Sequence, residues 1–228
     1  MLSAEEWTTL ATSFSVAARA VIWSLPIAIG FAFLLSRPSF PGKSLLDGLA
    51  HMPLVLPPVL IGFLLLLLFG RRGPLGAWLE QSFDVRLAFS AEGASLATAV
   101  MTFPLMVRAI RLAFESADQG LFEAAAVLRA SPLDRFYSVA VPLAWPGILA
   151  GAATAFAAGL GEFGAVITFA SNIPGETQTL PLAIYSALQL PGGEAQALRL
   201  AAFSFSLAVL GLAAAEALQA WSRRRLEA

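Results

Sequence analysis

Few side chains in this sequence could do chemistry where they stand. Glu162 lies in Leu160-Gly161-Glu162-Phe163-Gly164-Ala165, at the end of a long apolar run. A carboxylate there could line a path through a membrane or hold the loop in shape. Arg19 stands nine residues after Leu10, inside the first apolar stretch. An ionisable group at such depth is functional or reaches the interface along its methylene stem, and nearness to the start of the stretch favours the second. His51 is the single histidine and cysteine is absent, so thiol chemistry and a Cys/His zinc site are both excluded. His51 is expected to be an interfacial polar anchor rather than a pH switch. No His/Asp/Glu cluster or serine nucleophile motif sits at matching depth, which argues against an intramembrane enzyme.

The elements that carry these residues are apolar. Of 228 residues 58% are hydrophobic and 13% charged, and the mean hydropathy is +0.76, far from a soluble domain. A net charge of -1 gives no basic excess to gather nucleic acid. Met1-Leu2-Ser3-Ala4-Glu5-Glu6 is acidic where a cleavable signal needs a basic region, so the first apolar stretch is expected to be a retained span. A bilayer core of about 30 Å takes roughly 20 helical residues, whose backbone amides must be paired internally. Stretches of that length run over Leu10 to Leu35, Leu49 to Phe69, Gly93 to Phe114, Ala140 to Leu160 and Arg199 to Trp221. Residues 162–193 contain Asn172, Pro174, Gly175, Pro181 and Pro191, too interrupted for a plain span but compatible with a short or re-entrant element lining a cavity.

Basic residues are retained on the cytoplasmic side. With the N-terminus outside, Arg37, Lys43, Arg108, Arg111, Arg129, Arg135, Arg223, Arg224 and Arg225 fall inside, against Arg71, Arg72, Arg86 and Arg199 outside. Nine against four favours N-out, C-in. The tail Arg223-Arg224-Arg225 is read as the stop of the last span.

One inner loop does not belong to the membrane. Leu121 to Ala130 is rich in helix formers, follows Gly120 and precedes Ser131-Pro132, so a short helix is expected there. Leu121, Ala124, Ala125 and Leu128 share one face and make a small, nearly flat apolar patch. On pattern alone this is a helix lying on lipid headgroups as readily as one docking a protein. Glu123 could cap the helix or pair with a basic group on a partner, the plainer role being a first-turn acid favouring the dipole.

Glu123-Ala124-Ala125, followed by Val139-Ala140-Val141-Pro142, resembles the EAA loop of ABC importer permeases, in which Glu-Ala-Ala is followed by Gly and then Ile-x-Leu-Pro. Arg129 stands at the Gly position, and because Arg does not readily take φ > 0, Ser131-Pro132 is expected to break the helix instead. Downstream, Leu160-Gly161-Glu162-Phe163-Gly164-Ala165, Ser171 to Tyr185 and Leu190-Pro191-Gly192-Gly193-Glu194 resemble the molybdate/tungstate permeases of such importers, nearly the whole chain being covered. Sulfate/thiosulfate permeases share the Gly-Glu-aromatic-Gly segment and remain open as the alternative.

The resemblance implies an all-α membrane protein of the type I importer permease fold, one transmembrane domain over residues 1–228 with a cytoplasmic coupling loop at 116–137. It implies coupling to a separate ATPase through Glu123, Ala124, Ala125, Leu128, Arg129 and Pro142. It also implies a bacterial inner-membrane location, a second copy of the permease, two ATPase copies and an external oxyanion-binding protein. The sequence has no Gly-x-x-x-x-Gly-Lys-Ser/Thr loop, so ATP and Mg²⁺ are expected on the partner, with no cofactor on this chain. Pro57, Pro58, Gly161, Glu162 and Gly164 are the candidates for a translocation path or gate, with Glu162 structural because a carboxylate repels a dianion. Pro26, Pro57-Pro58, Pro104 and Pro146 each interrupt a candidate span and are expected to kink it. A self-contained secondary transporter would need internal repeats and intramembrane ion pairs, which the sequence does not display convincingly.

Overall fold

The first helix starts where Ser3 and Glu6 exchange hydrogen bonds: the Ser3 amide donates to Glu6 Oε2 at 2.8 Å and the Glu6 amide to Ser3 Oγ at 3.2 Å, a capping box. The computed structural model describes residues 3–226; the side chains of residues 119, 212, 214, 215 and 218 onward lie outside what is described, and with them the reading of Arg223-Arg224-Arg225. In chain order the helices are α1 (Ala4–Ser36), α2 (Lys43–Val55), α3 (Pro58–Phe69), α4 (Pro74–Phe83), α5 (Ala91–Glu115), α6 (Gln119–Val127), α7 (Pro132–Arg135), α8 (Val141–Leu160), α9 (Gly164–Phe169), α10 (Leu180–Leu188) and α11 (Glu194–Leu226). A π-helical turn, Phe136–Ala140, joins α7 to α8. No strand occurs among the described residues.

α5 is the hub, packed against α1, α8 and α9, with α11 on the far side of α8. Its seams are lined by small side chains. Ala20, Ser24, Ala28 and Ala32 recur every fourth residue on α1 and are buried. On α8 the sequence places Gly147, Gly151, Ala155 and Gly159 in a matching stripe. A Cβ on Gly159 would lie 2.8 Å from Thr98 Cγ2, and one on Gly151 3.1 Å from the Met106 carbonyl oxygen, so the backbones meet where side chains would not fit. Lipid tails give helices no hydrophobic reason to associate, and close backbone packing supplies the attraction instead.

Among the described residues three stretches are long and apolar enough to cross a membrane, namely α1, α5 and residues 132–160; α2 with α3 would make a fourth as one broken span. α11 covers the expected last span. The expected single span Leu49 to Phe69 is not one helix. It breaks at Leu56-Pro57, where α2 and α3 meet at 114°. Two consecutive prolines remove two backbone donors, whereas α1, α5 and α8 continue through Pro26, Pro104 and Pro146, each of which removes one. Residues 162–193 hold two short helices, α9 and α10, joined by a loop.

The loop at 116–137 also differs from expectation. Its helix runs Gln119–Val127 and is capped by Asp118, whose Oδ1 accepts from the Gly120 amide at 2.8 Å. Glu123 is therefore in the second turn, not the first. Arg129 does take the left-handed conformation, at φ 60°. Its amide donates to the Ala126 carbonyl and the Ala130 amide to Ala125, both at 3.0 Å. These are the paired bonds of a Schellman motif, which hold Arg129 where a glycine would relax. Ser131 does not stop α6; its hydroxyl caps α7 by accepting from the Asp134 amide at 3.1 Å.

Candidate coupling surface and gate

The loop at 116–137 is anchored by aromatics and free on its other side. Phe122 of α6 and Phe136 of the π turn pack on the buried cluster shared by α1, α5 and α8. Phe33 touches both Phe114 and Phe136, with ring centroids at 5.3 and 4.8 Å. The ends of α1 and α5 are thereby tied to the start of α8, and an edge-to-face aromatic pair adds about 1 kcal/mol beyond its buried area.

Opposite these anchors, Leu121, Ala124 and Leu128 are exposed and contiguous, Leu128 to 82%, with Val127 and Leu133 beside them. Ala125, expected on the same face, is half-buried towards the bundle and forms its edge. Glu123 and Arg129 are exposed, and neither has an ion-pair partner among the described residues. Pro142 is exposed just after the π turn, inside the continuous helical stretch 132–160, where its missing amide removes one backbone donor.

The other candidate residues meet on a different side of α5. A Cβ on Gly164 would lie 2.6 Å from Pro58 Cβ, and one on Gly62 2.7 Å from the Ala165 carbonyl oxygen. The elbow at Pro57-Pro58 and the start of α9 are thus pressed together through two glycines. Glu162 turns back over α9 and accepts from the Ala165 amide at 3.0 Å, satisfying an amide the short helix leaves unpaired. Phe163 stacks on Tyr185 of α10 at 5.4 Å, which ties the entry of α9 to the next helix. Gly161 is exposed at the end of α8.

Ion pairs that sequence reading did not anticipate brace both ends of the bundle. Arg19 does not stand free: its guanidinium meets Glu92, at the start of α5, at 3.1 Å. Arg111 bridges Asp47 of α2 at 3.1 Å and Glu115 of its own helix at 2.7 Å. His51 lies 3.2 Å from the same Asp47. Near the other end Arg199 of α11 meets the buried Glu6 at 3.2 Å. The four-residue spacings of Arg111 with Glu115 and of Asp47 with His51 are legible without the fold; Arg19 with Glu92, Arg111 with Asp47 and Arg199 with Glu6 join residues more than sixty positions apart.

Relatives agree with this architecture. The family model described as "Binding-protein-dependent transport system inner membrane component" matches residues 24–227. The molybdenum transport system permease protein ModB of Escherichia coli (strain K12) is 52% identical over 225 residues, covering 99% of this chain and 98% of that one. The sulfate transport system permease protein CysT of Salmonella typhimurium is 38% identical over 158 residues, covering 69% and 57%. Among solved structures, a bacterial alginate ABC transporter in complex with an alginate pentasaccharide-bound periplasmic protein superposes with a TM-score of 0.73 at 15% identity, over 97% of this chain and 80% of that one. At that identity it speaks for the fold alone, that of an ABC importer permease. The chain belongs to the family of inner-membrane components of binding-protein-dependent transport systems.

Proposed function

We propose that this chain is the membrane-spanning subunit of an ATP-driven molybdate importer, working as two copies around one path. The observation that carries the cargo is the end-to-end likeness to a molybdenum transport permease, against a likeness to the sulfate permease that leaves a third of the chain uncovered. In this reading α6 enters a cleft of the ATPase with Leu121, Ala124 and Leu128, and Glu123 and Arg129 meet charges on its rim. ATP and Mg²⁺ stay on that partner. Force enters through Phe122 and Phe136, and the part that opens is the elbow of Pro57-Pro58 against Gly161, Glu162 and Gly164. The N-terminus faces outwards, where a binding protein delivers the anion, and the C-terminus and α6 face the cytoplasm, as the nine-to-four distribution of basic residues supports.

Glu162 spends its charge on the α9 amide rather than on cargo. A carboxylate would repel molybdate, and a path has only to pass the dianion without holding it. The test is uptake of labelled molybdate by the reconstituted complex, with tungstate and sulfate as competitors. ATP-dependent uptake blocked by tungstate but not by equal sulfate is the expected result. Stronger competition by sulfate would reassign the cargo, and uptake by this chain alone without ATP would make it a secondary transporter.

A further inference from the structure

Between α1 and α2, with α5 as its floor, lies a groove of about 450 Å³ that nothing above uses. Its walls are apolar: Trp23 and Ile27 from α1, Ala50 and Pro53 from α2, Ala99 and Phe103 from α5. The one hydroxyl in it, Ser24, already donates to the Ala20 carbonyl at 2.6 Å. The groove therefore has no free hydroxyl proton to offer an occupant and suits an apolar one.

One end of this groove is positive. Lys43 stands one turn before Leu46 and on the same face of α2 as Leu46, Ala50 and Pro53, all three of which line the groove. Its Nζ donates to the Arg37 carbonyl oxygen at 2.7 Å, which leaves the ammonium donors to spare. Neither Lys43 nor Arg37 takes part in an ion pair among the described residues. The nearby Asp47 is matched by Arg111 at 3.1 Å and does not cancel Lys43. The first turn of α2 has no side-chain cap, so its amides add to the positive end.

We infer that this groove seats one acyl chain of an anionic phospholipid, with the headgroup phosphate at Lys43. The apolar walls suit a chain, and the cation at one end suits a phosphate rather than a neutral headgroup. With α6 in the cytoplasm, Lys43 lies at the same face of the membrane, so the lipid belongs to the inner leaflet. The inference rests on the proposed orientation for that leaflet alone.

The test uses the whole importer complex in phosphatidylcholine vesicles, titrated with phosphatidylglycerol or phosphatidylcholine carrying brominated acyl chains. Quenching at the groove is the difference between the parent and Trp23→Phe. The expected result is an about fivefold preference for phosphatidylglycerol, the size of one lysine's attraction to an anionic headgroup. Lys43→Gln should bring the ratio to about one, and Arg72→Gln, at a distant exposed arginine, should leave it unchanged. Equal quenching by both lipids in the parent would mean ordinary surrounding lipid and overturn the inference. So would a preference that survives Lys43→Gln, or no quenching by either lipid, which would place protein in the groove. Molybdate uptake in the same vesicles tests the importer reading separately, since lipid preference and uptake can each fail while the other stands.

Discussion

Replacing Gly147 by Ala puts a methyl on the seam between α8 and α5, well inside van der Waals contact of Ala113 Cβ and 3.1 Å from the Ala109 carbonyl oxygen. Both neighbours belong to α5 close to its backbone, so no flexible side chain can swing away. The helices must part. Overpacking of this kind costs about 1–3 kcal/mol, against a helix-propensity gain of up to about 1 kcal/mol for Gly→Ala, leaving a net loss of about 1–2 kcal/mol. Ala113→Gly alone should cost about 1 kcal/mol through propensity. Together the two changes move one methyl across the seam: the propensity terms cancel, the worst clash disappears, and only the contact with Ala109 remains. The double variant should fall within about 1 kcal/mol of the parent, with a coupling of about 1.5–2 kcal/mol between sites. Denaturation midpoints in detergent, followed by tryptophan fluorescence, measure all four proteins. Uptake should fall in Gly147→Ala and return in the double variant, because the seam joins the helices that enter and leave the proposed coupling loop. Additive losses would refute the claim that close backbone contact holds α5 to α8.

Other expectations concern the loop and the elbow. Leu128→Asp, at a side chain 82% exposed, should change the stability of the permease by no more than about 0.5 kcal/mol while cutting ATP-driven uptake at least tenfold; unchanged uptake would remove α6 as the docking surface. Arg129→Gly should stabilise the end of α6 by about 0.5–1 kcal/mol, the left-handed strain relieved less the backbone entropy added, and Arg129→Val should destabilise it, as midpoints in detergent would show. Glu162→Ala removes the acceptor for the Ala165 amide and should cost about 1 kcal/mol with slower uptake, whereas Glu162→Gln keeps an oxygen there and should retain most of both. Equal loss in the two variants would mean that the charge, not the acceptor, matters.

Three of the five expected spans, in α1, α5 and residues 132–160, were legible because hydropathy over a fixed length answers a question the bilayer itself asks. What the sequence obscured was which proline breaks its helix. Pro26, Pro104 and Pro146 look as disruptive as Pro57, yet a lone proline forfeits one bond that packing can compensate, and only the Pro57-Pro58 pair turns the chain. Arg129 misled for a related reason. Its own conformational preference is a local cost, while two backbone bonds and the anchored Phe122 and Phe136 decide the end of α6. The apolar face of α6 was read correctly at Leu121, Ala124 and Leu128, but helical spacing alone could not say which side the bundle takes. Phe122 was the available signal, since an aromatic ring buries far more area than the alanines beside it.

These placements make the proposed coupling a matter of stiffness. α8 leaves the anchored loop at Val141 and ends at Leu160, 20 residues or about 30 Å away, where Gly161 and Glu162 lead into α9. Along that length its stripe of Gly147, Gly151, Ala155 and Gly159 meets α5, offering no long side chains whose rotamers could absorb a displacement. A shift imposed at Phe136 is therefore carried along α8 instead of being lost in the seam, much as close-packed interiors transmit strain. At the far end it arrives at Gly164 against Pro58, beside the one place where the described helices are broken by a proline pair rather than continuous through a proline. Rigidity along the seam and compliance at the elbow are complementary requirements. A stiff lever with no hinge would move nothing, and a hinge beside a soft lever would never feel the ATPase.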